Sequence, residues 1–220
     1  AAGTLPAELE KLWRTETPGG YHMEYGYSCM GYEIAGGLGV KMAKPDREVI
    51  VMLGDGSYLM LNAEIATSVM LGHKLIVVVL DNRGYGCIDR LQQACGGAPF
   101  NNMLDDCRLD DRLHGSDGVP TIDFAAHARA MGAEAEHVRS IAELEQALRR
   151  ARAATRTYLI AIDTDHRRIT TEGGCWWDVA VPEVSDRADV REARRNYEAA
   201  RQQKRPGTAA SKTRDGKTHD

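Results

Sequence analysis

A chain of 220 residues, 43% of them hydrophobic and 27% charged, has room for one substantial α/β domain with extensions. Its formal net charge of −4 excludes a nucleic-acid footprint spread over the whole domain. No apolar run approaches the roughly 20 residues that cross a bilayer, and the opening "AAGTLPAELEKLW" lacks the basic and apolar regions of a secretory signal.

With no initiator methionine, the chain is expected to be a piece of a longer one. The five cysteines (Cys29, Cys87, Cys95, Cys107 and Cys175) are odd in number and scattered, with no Cys-x-x-Cys pair. That excludes a disulfide framework and fits reduced thiols in the cytoplasm. Cys87 lies near the most informative loop but has no base beside it in sequence, so a packing role is expected.

In chain order, Leu5 to Trp13 reads as a short helix broken by "TPGGYH". Met30 to Ala43, "MGYEIAGGLGVKMA", places apolar or small residues at helical spacing. Its Gly36, Gly37 and Gly39 suit close packing against a neighbour. A dinucleotide-binding fingerprint would need a strand before those glycines, and none precedes them. "EVIVMLG", ending at Gly54, is a short continuous apolar run, as in a strand covered on both faces. Ser57 is expected to cap a helix from Tyr58 to about Leu71, closed by Gly72. "KLIVVVLDN", Lys74 to Asn82, is a second β-branched strand, which completes a parallel βαβ unit.

Residues 96–121 form a long polar connection of the kind that is often functional. A helix closed by Gly132, a short strand, a serine-capped amphipathic helix ("SIAELEQALRRARA") and the strand "TYLIAID" come next. The fold class is therefore α/β, with a mostly parallel sheet flanked by helices. Residues 1–186 are expected to form the main domain. A charged helix then covers 187–203, and a disordered tail of low hydropathy covers 204–220. Solvation is the expected role of the tail, and no nucleic-acid or membrane partner is indicated.

The chemistry concentrates at "GDGS", residues 54–57, and at "LDNRGYG", residues 80–86. Ligands of parallel sheets sit beyond the carboxyl ends of the strands. Asp55 and Asn82 each lie just past such an end, so the βαβ geometry brings two oxygen donors to one rim. A carboxylate and an amide carbonyl suit Mg²⁺, and backbone N–H groups of Gly56 and Ser57 suit a phosphate. Taken alone, Gly-Asp-Gly reads equally well as a tight turn; the second motif argues against that.

Together these two motifs resemble those of the thiamine diphosphate-dependent enzymes, with Asp81 standing where the family has the first of two asparagines. The resemblance implies a diphosphate-binding domain in which Asp55, the Asn82 side chain and the Gly84 carbonyl hold Mg²⁺. It implies Gly56, Ser57 and Tyr85 at the diphosphate. Upstream, "YGYSCMGYEIAGGLG" is similar to the family segment that receives the aminopyrimidine ring, which implies a Ser28 carbonyl at the ring's amino group and Met30 as the residue that bends the cofactor. Core packing is the alternative for Met30.

The flanks "CIDRLQ", "IDFAAHARAMGA" and "WWDVAVPEVS", with Trp176 and Trp177, are similar to the branch that hydrolyses a ring C–C bond of a cyclic diketone in inositol breakdown. In all, the resemblance covers Leu5 to about Arg205. It implies an enzyme on a small-molecule substrate, a homodimer or homotetramer, and a pyrimidine-binding domain in the same or a partner subunit. That domain carries the family's activating glutamate. Glu24, Glu33 and Glu64 lie in the wrong segment to replace it, Glu64 reading as a surface or interface residue, so the chain alone is expected to be inactive. An acetolactate synthase-like carboligase or decarboxylase and a non-catalytic cofactor-binding subunit are the alternatives. His22 and His114 read as surface or structural residues, and the catalytic acid and base are not identified.

Overall fold

A computed structural model describes residues 1, 3–106, 121–170 and 178–204. His114, Cys107, Cys175, Trp176, Trp177 and the tail beyond 204 lie outside the described residues. The described residues fall in two compact units, those within Ala1–Arg90 and Pro99–Gly174 in one and those within Leu91–Ala98 and Cys175–Asp220 in the other.

The first unit is built on a four-stranded, wholly parallel sheet of β1 (Ile50–Gly54), β2 (Ile76–Asp81), β3 (Glu134–Val138) and β4 (Tyr158–Asp163), in the order β1-β2-β4-β3. The two central strands are the two most continuously apolar runs, because helices cover both their faces. Alternation sorts their side chains. Val77, Val79 and Leu159 enter one core with Leu53, and Ile76, Val78 and Ile160 enter the other. Each fully buried side chain of this size contributes about 1.5–3 kcal/mol to folding.

The helices are α1 (Thr4–Leu12), α2 (Tyr32–Ala43), α3 (Asp55–Met60), α4 (Glu64–Leu71), α5 (Gly86–Ala94), α6 (Phe124–Ala130), α7 (Ile141–Ala153) and α8 (Ala188–Lys204). Ile34 and Leu38 of α2, Tyr58 of α3, Ile65 of α4 and Phe124 of α6 pack into the first core, whereas Ala147 and Ala151 of α7 fill the second. Ser140 caps α7 by accepting the Glu143 N–H at 3.2 Å, and Glu143 returns the bond to the Arg139 N–H at 2.7 Å. The α8 helix lies in the second unit, where a charged helix is expected from the sequence. Among the described residues, no helix is long and apolar enough to cross a membrane.

In three places the local structure differs from the sequence expectation. The single helix expected after Ser57 is two helices, because Leu61 is extended (φ −155°) and the Asn62 amide donates to the Tyr58 carbonyl at 2.9 Å, closing α3 early. Ser57 is not a cap: the helix begins at Asp55 with Gly54 as its N-cap. Of the three α2 glycines, only Gly37 lies tight against the sheet, where an added Cβ would come 2.3 Å from Val51 Cγ2; at Gly39 nothing lies within 4 Å.

Candidate functional site

The site begins where β1 ends. Gly54 passes directly into α3, so Asp55 sits at the head of that helix with its side chain buried. Tyr58, one helical turn on, fixes α3 in place. It is fully buried, meets the Phe124 ring edge-on at 5.2 Å, and hydrogen-bonds to His127 Nδ1 at 2.9 Å. Burial pushes its phenol up to about 12.

On the neighbouring strand, register pairs Gly54 with Leu80, and the chain leaves β2 through Asp81, Asn82, Arg83 and Gly84. Arg83 is left-handed (φ 64°), and the Asp81 carboxylate accepts its N–H at 2.8 Å. An asparagine oxygen would accept that bond equally well, so aspartate preserves the turn and adds a charge. Gly84 (φ 140°) bridges Met103, and a Cβ there would lie 2.4 Å from the Asn102 carbonyl oxygen. Only glycine fits.

This turn folds back onto Asp55. The Gly84 N–H donates to Asp55 Oδ2 at 2.7 Å. The Asn82 amide fits the remaining space in two orientations. With nitrogen inward, it donates to the Gly84 carbonyl oxygen at 2.6 Å and to Asp55 Oδ1 at 3.2 Å. With oxygen inward, Nδ2 reaches Thr4 Oγ1 at 3.4 Å, and three oxygens face one another with no proton between them. A cation makes that second arrangement favourable. The edge of a Mg²⁺ octahedron, with ligands at about 2.0–2.1 Å, is about 2.9 Å, which falls between the two observed separations. Burial first, and then the charge of Asp81, push the Asp55 carboxyl up from 3.8 to about 6. The pocket therefore strains an anion that a divalent cation would relieve.

The cleft that opens from these groups has a volume of about 220 Å³. Met30, Gly56, Ser57 and Tyr85 line it along with Asp55, Asn82 and Gly84, so it gathers every sequence-predicted site residue except Ser28. Gly56 lets its neighbours approach: a Cβ there would come 2.8 Å from the Tyr85 ring, which would have to shift, and 3.4 Å from Met30 Cε. A donor and acceptor set of this kind suits a diphosphate held through a metal, with an apolar wall from Met30.

The family whose description reads "Thiamine pyrophosphate enzyme, C-terminal TPP binding domain" matches residues 1–162. The chain belongs to this family. Among the TPP-binding domain's relatives, a "3D-(3,5/4)-trihydroxycyclohexane-1,2-dione hydrolase 2" of Bacillus cereus (strain ZK / E33L) is 43% identical over 197 residues, covering 88% of this chain and 30% of its own. A "3D-(3,5/4)-trihydroxycyclohexane-1,2-dione hydrolase" of Geobacillus thermodenitrificans (strain NG80-2) is likewise 43% identical over 197 residues, covering 89% and 30%. The chain thus spans about 30% of the length of these relatives. Among solved structures, a Rhodococcus jostii RHA1 thiamine diphosphate-dependent 4-hydroxybenzoylformate decarboxylase superposes with a TM-score of 0.53 at 23% identity, over 62% of this chain and 23% of its own. At that identity the likeness shows the fold alone.

Several residues of the TPP-binding domain's site were not foreseen from sequence. Thr4, at the head of α1, reaches Asn82 from 78 positions away and also accepts from Arg90 Nη2 at 3.2 Å. Glu33 of α2 accepts the Ser57 hydroxyl at 3.0 Å on Oε1 and the Gly31 N–H at 3.1 Å on Oε2. Thr164, Asp165 and Arg168, just past β4, close the cleft on its far side. Only the position after a strand end signals the last group; nothing local signals the first two. His22 lies elsewhere, on a second cavity of about 290 Å³, and its Nε2 pairs with the Tyr32 hydroxyl at 2.7 Å.

Proposed function

We propose that this chain is the cofactor-binding part of a thiamine diphosphate- and Mg²⁺-dependent hydrolase that opens trihydroxycyclohexane-1,2-dione to 5-deoxy-glucuronate in myo-inositol degradation. The 43% identity to hydrolases of that name over 88% of the chain supports the substrate. The observation that carries the cofactor is the meeting of the Asp55 carboxylate, the Asn82 amide and the Gly84 carbonyl in one buried pocket. In this reading those three groups hold Mg²⁺, Gly56 and Ser57 hold the diphosphate, and Tyr85 flanks it. Met30 supports the bend of the cofactor, and the Ser28 carbonyl meets the aminopyrimidine.

When bound, thiamine diphosphate supplies a carbanion that adds to a carbonyl and an electron sink for the neighbouring C–C bond. The chain's own residues do the binding and orienting. The Ser57 hydroxyl proton is committed to Glu33, so Ser57 offers its N–H and its oxygen lone pairs to the cleft. Residues 1–186 act as the cofactor domain, with the helix and tail beyond it as extensions.

The reading includes a pyrimidine-binding domain from the same or a neighbouring subunit, in a homodimer or homotetramer. Leu59, Met60 and Leu61 beside the site, and Met70 and Leu71 on α4, are 42–84% exposed and offer apolar surface for such contacts. A cytoplasmic setting agrees with Cys29, Cys87 and Cys95, all of which are free thiols.

Calorimetric titration of the 220-residue chain tests the cofactor. Thiamine diphosphate is expected to bind only with Mg²⁺ present, and thiamine lacking phosphates not to bind. Binding that ignores Mg²⁺, or no binding at all, would sink the reading.

A further inference from the structure

Ser28 is one of three non-glycine residues with a left-handed backbone among the described residues, at φ 58°. A Cβ makes that conformation unfavourable, so something must hold it. The Glu24 carboxylate spans the residue. Its Oε1 accepts the Tyr27 N–H at 3.0 Å and its Oε2 accepts the Cys29 N–H at 2.8 Å. Successive N–H groups around a left-handed residue converge into a concavity suited to an anion, and here the chain fills it with its own side chain. Those N–H groups hold the Glu24 carboxyl below the ordinary carboxylate range.

Glu24 does not line the cleft that contains Asp55. It lines the second cavity, with Tyr32 and Glu33, and so stands behind the loop it organises.

We infer that Glu24 is a positioning residue that locks the Ser28 turn, setting the direction of the Ser28 carbonyl and the approach of Met30 for the cofactor's ring. The inference rests on the proposal that thiamine diphosphate occupies the cleft. Glu24 touches no reacting atom; it acts through Ser28. A serine at this position is tolerated because the carboxylate compensates, and glycine would need no such help.

The test uses the 220-residue chain with Glu24→Gln, Ser28→Gly and the double variant, and reads thiamine diphosphate affinity, Mg²⁺ affinity and amide hydrogen exchange. Glu24→Gln puts an amide N–H against a backbone N–H, so cofactor affinity is expected to fall about tenfold, the scale of one charge-assisted bond. Exchange at Tyr27 and Cys29 should quicken by a similar factor, while Mg²⁺ affinity stays at the wild-type value. In the Ser28→Gly background the same substitution should cost no more than about a third as much in affinity, because the backbone strain that the Glu24 carboxylate offsets is gone.

An equal loss in both backgrounds, unchanged affinity and exchange, or a parallel loss of Mg²⁺ affinity would each overturn the inference while leaving the cofactor reading in place. Failure of the wild-type chain to bind thiamine diphosphate would overturn both.

Discussion

Asp55 is buried, accepts the Gly84 N–H, and has Asp81 as an anionic neighbour. Its carboxyl is raised from 3.8 to about 6, so between those values the unfolded chain has released a proton that the folded chain retains. By linkage, stability without metal falls as pH rises through that window and levels off above about 6. A bound cation reverses the preference, because it needs the carboxylate ionised; below pH 6, Mg²⁺ competes with a proton, and affinity should drop about tenfold per pH unit. Asp55→Asn removes both effects. At pH 7.5 without metal the variant is expected to melt higher than wild type, and to gain nothing from Mg²⁺, which at about 100 times its Kd would stabilise wild type by about 2.7 kcal/mol. Thermal melts at pH 5 and 7.5, each with and without Mg²⁺, check this. A wild-type-like Mg²⁺ response in Asp55→Asn would remove Asp55 from the metal site. Glu33 works at the same scale: by holding the Ser57 hydroxyl and the Gly31 N–H it ties the segment after Met30 to the head of α3.

At the scale of elements, α2 offers two glycines with opposite expectations. At Gly37 a Cβ would lie 2.3 Å from Val51 Cγ2, on a buried, β-branched side chain with little freedom to move. Gly37→Ala should therefore destabilise by about 1–2 kcal/mol, since overpacking of about 1–3 kcal/mol outweighs the gain in helix propensity. Gly39 faces open space, and Gly39→Ala should stabilise by about 0.5–1 kcal/mol. Urea midpoints for the two variants decide the matter, and equal signs would contradict the packing described. The pair also shows what is legible in a sequence. Strands β1, β2 and β4, the capped helix α7 and the two site motifs are written in local runs and spacings, so they can be read directly. The Gly37 and Gly39 difference depends on which face of α2 meets the sheet. The break between α3 and α4 depends on Asn62 reaching back to Tyr58, and α5 begins at the last glycine of the "LDNRGYG" motif. Thr4, Glu24 and Glu33 carry polar side chains of no special pattern. Their roles come from partners that only the folded chain brings near.

At the scale of the whole molecule, the question is whether a cofactor domain can turn over substrate by itself. The family's chemistry, as the resemblance implies, needs a glutamate at the aminopyrimidine. Two nearby glutamates of this chain are engaged in holding their own loops: Glu24 spans the Tyr27 and Cys29 N–H groups, and Glu33 binds Ser57 and Gly31. Moving either to the ring would undo the loop that should receive the ring. The chain also spans about 30% of the length of the hydrolases it resembles. Loaded with Mg²⁺ and thiamine diphosphate, the 220-residue chain is therefore expected to bind its cofactor yet give no ring opening of trihydroxycyclohexane-1,2-dione above the uncatalysed rate. Adding a polypeptide that carries a pyrimidine-binding domain should bring activity back, with that dione as substrate in preference to pyruvate. Product formation followed for both substrates, with and without the added domain, separates the cases. Turnover by the chain alone would mean that a group within these residues activates the ring. Restored activity on pyruvate alone would transfer the site to carboligase or decarboxylase chemistry while leaving the proposed metal and diphosphate roles unchanged.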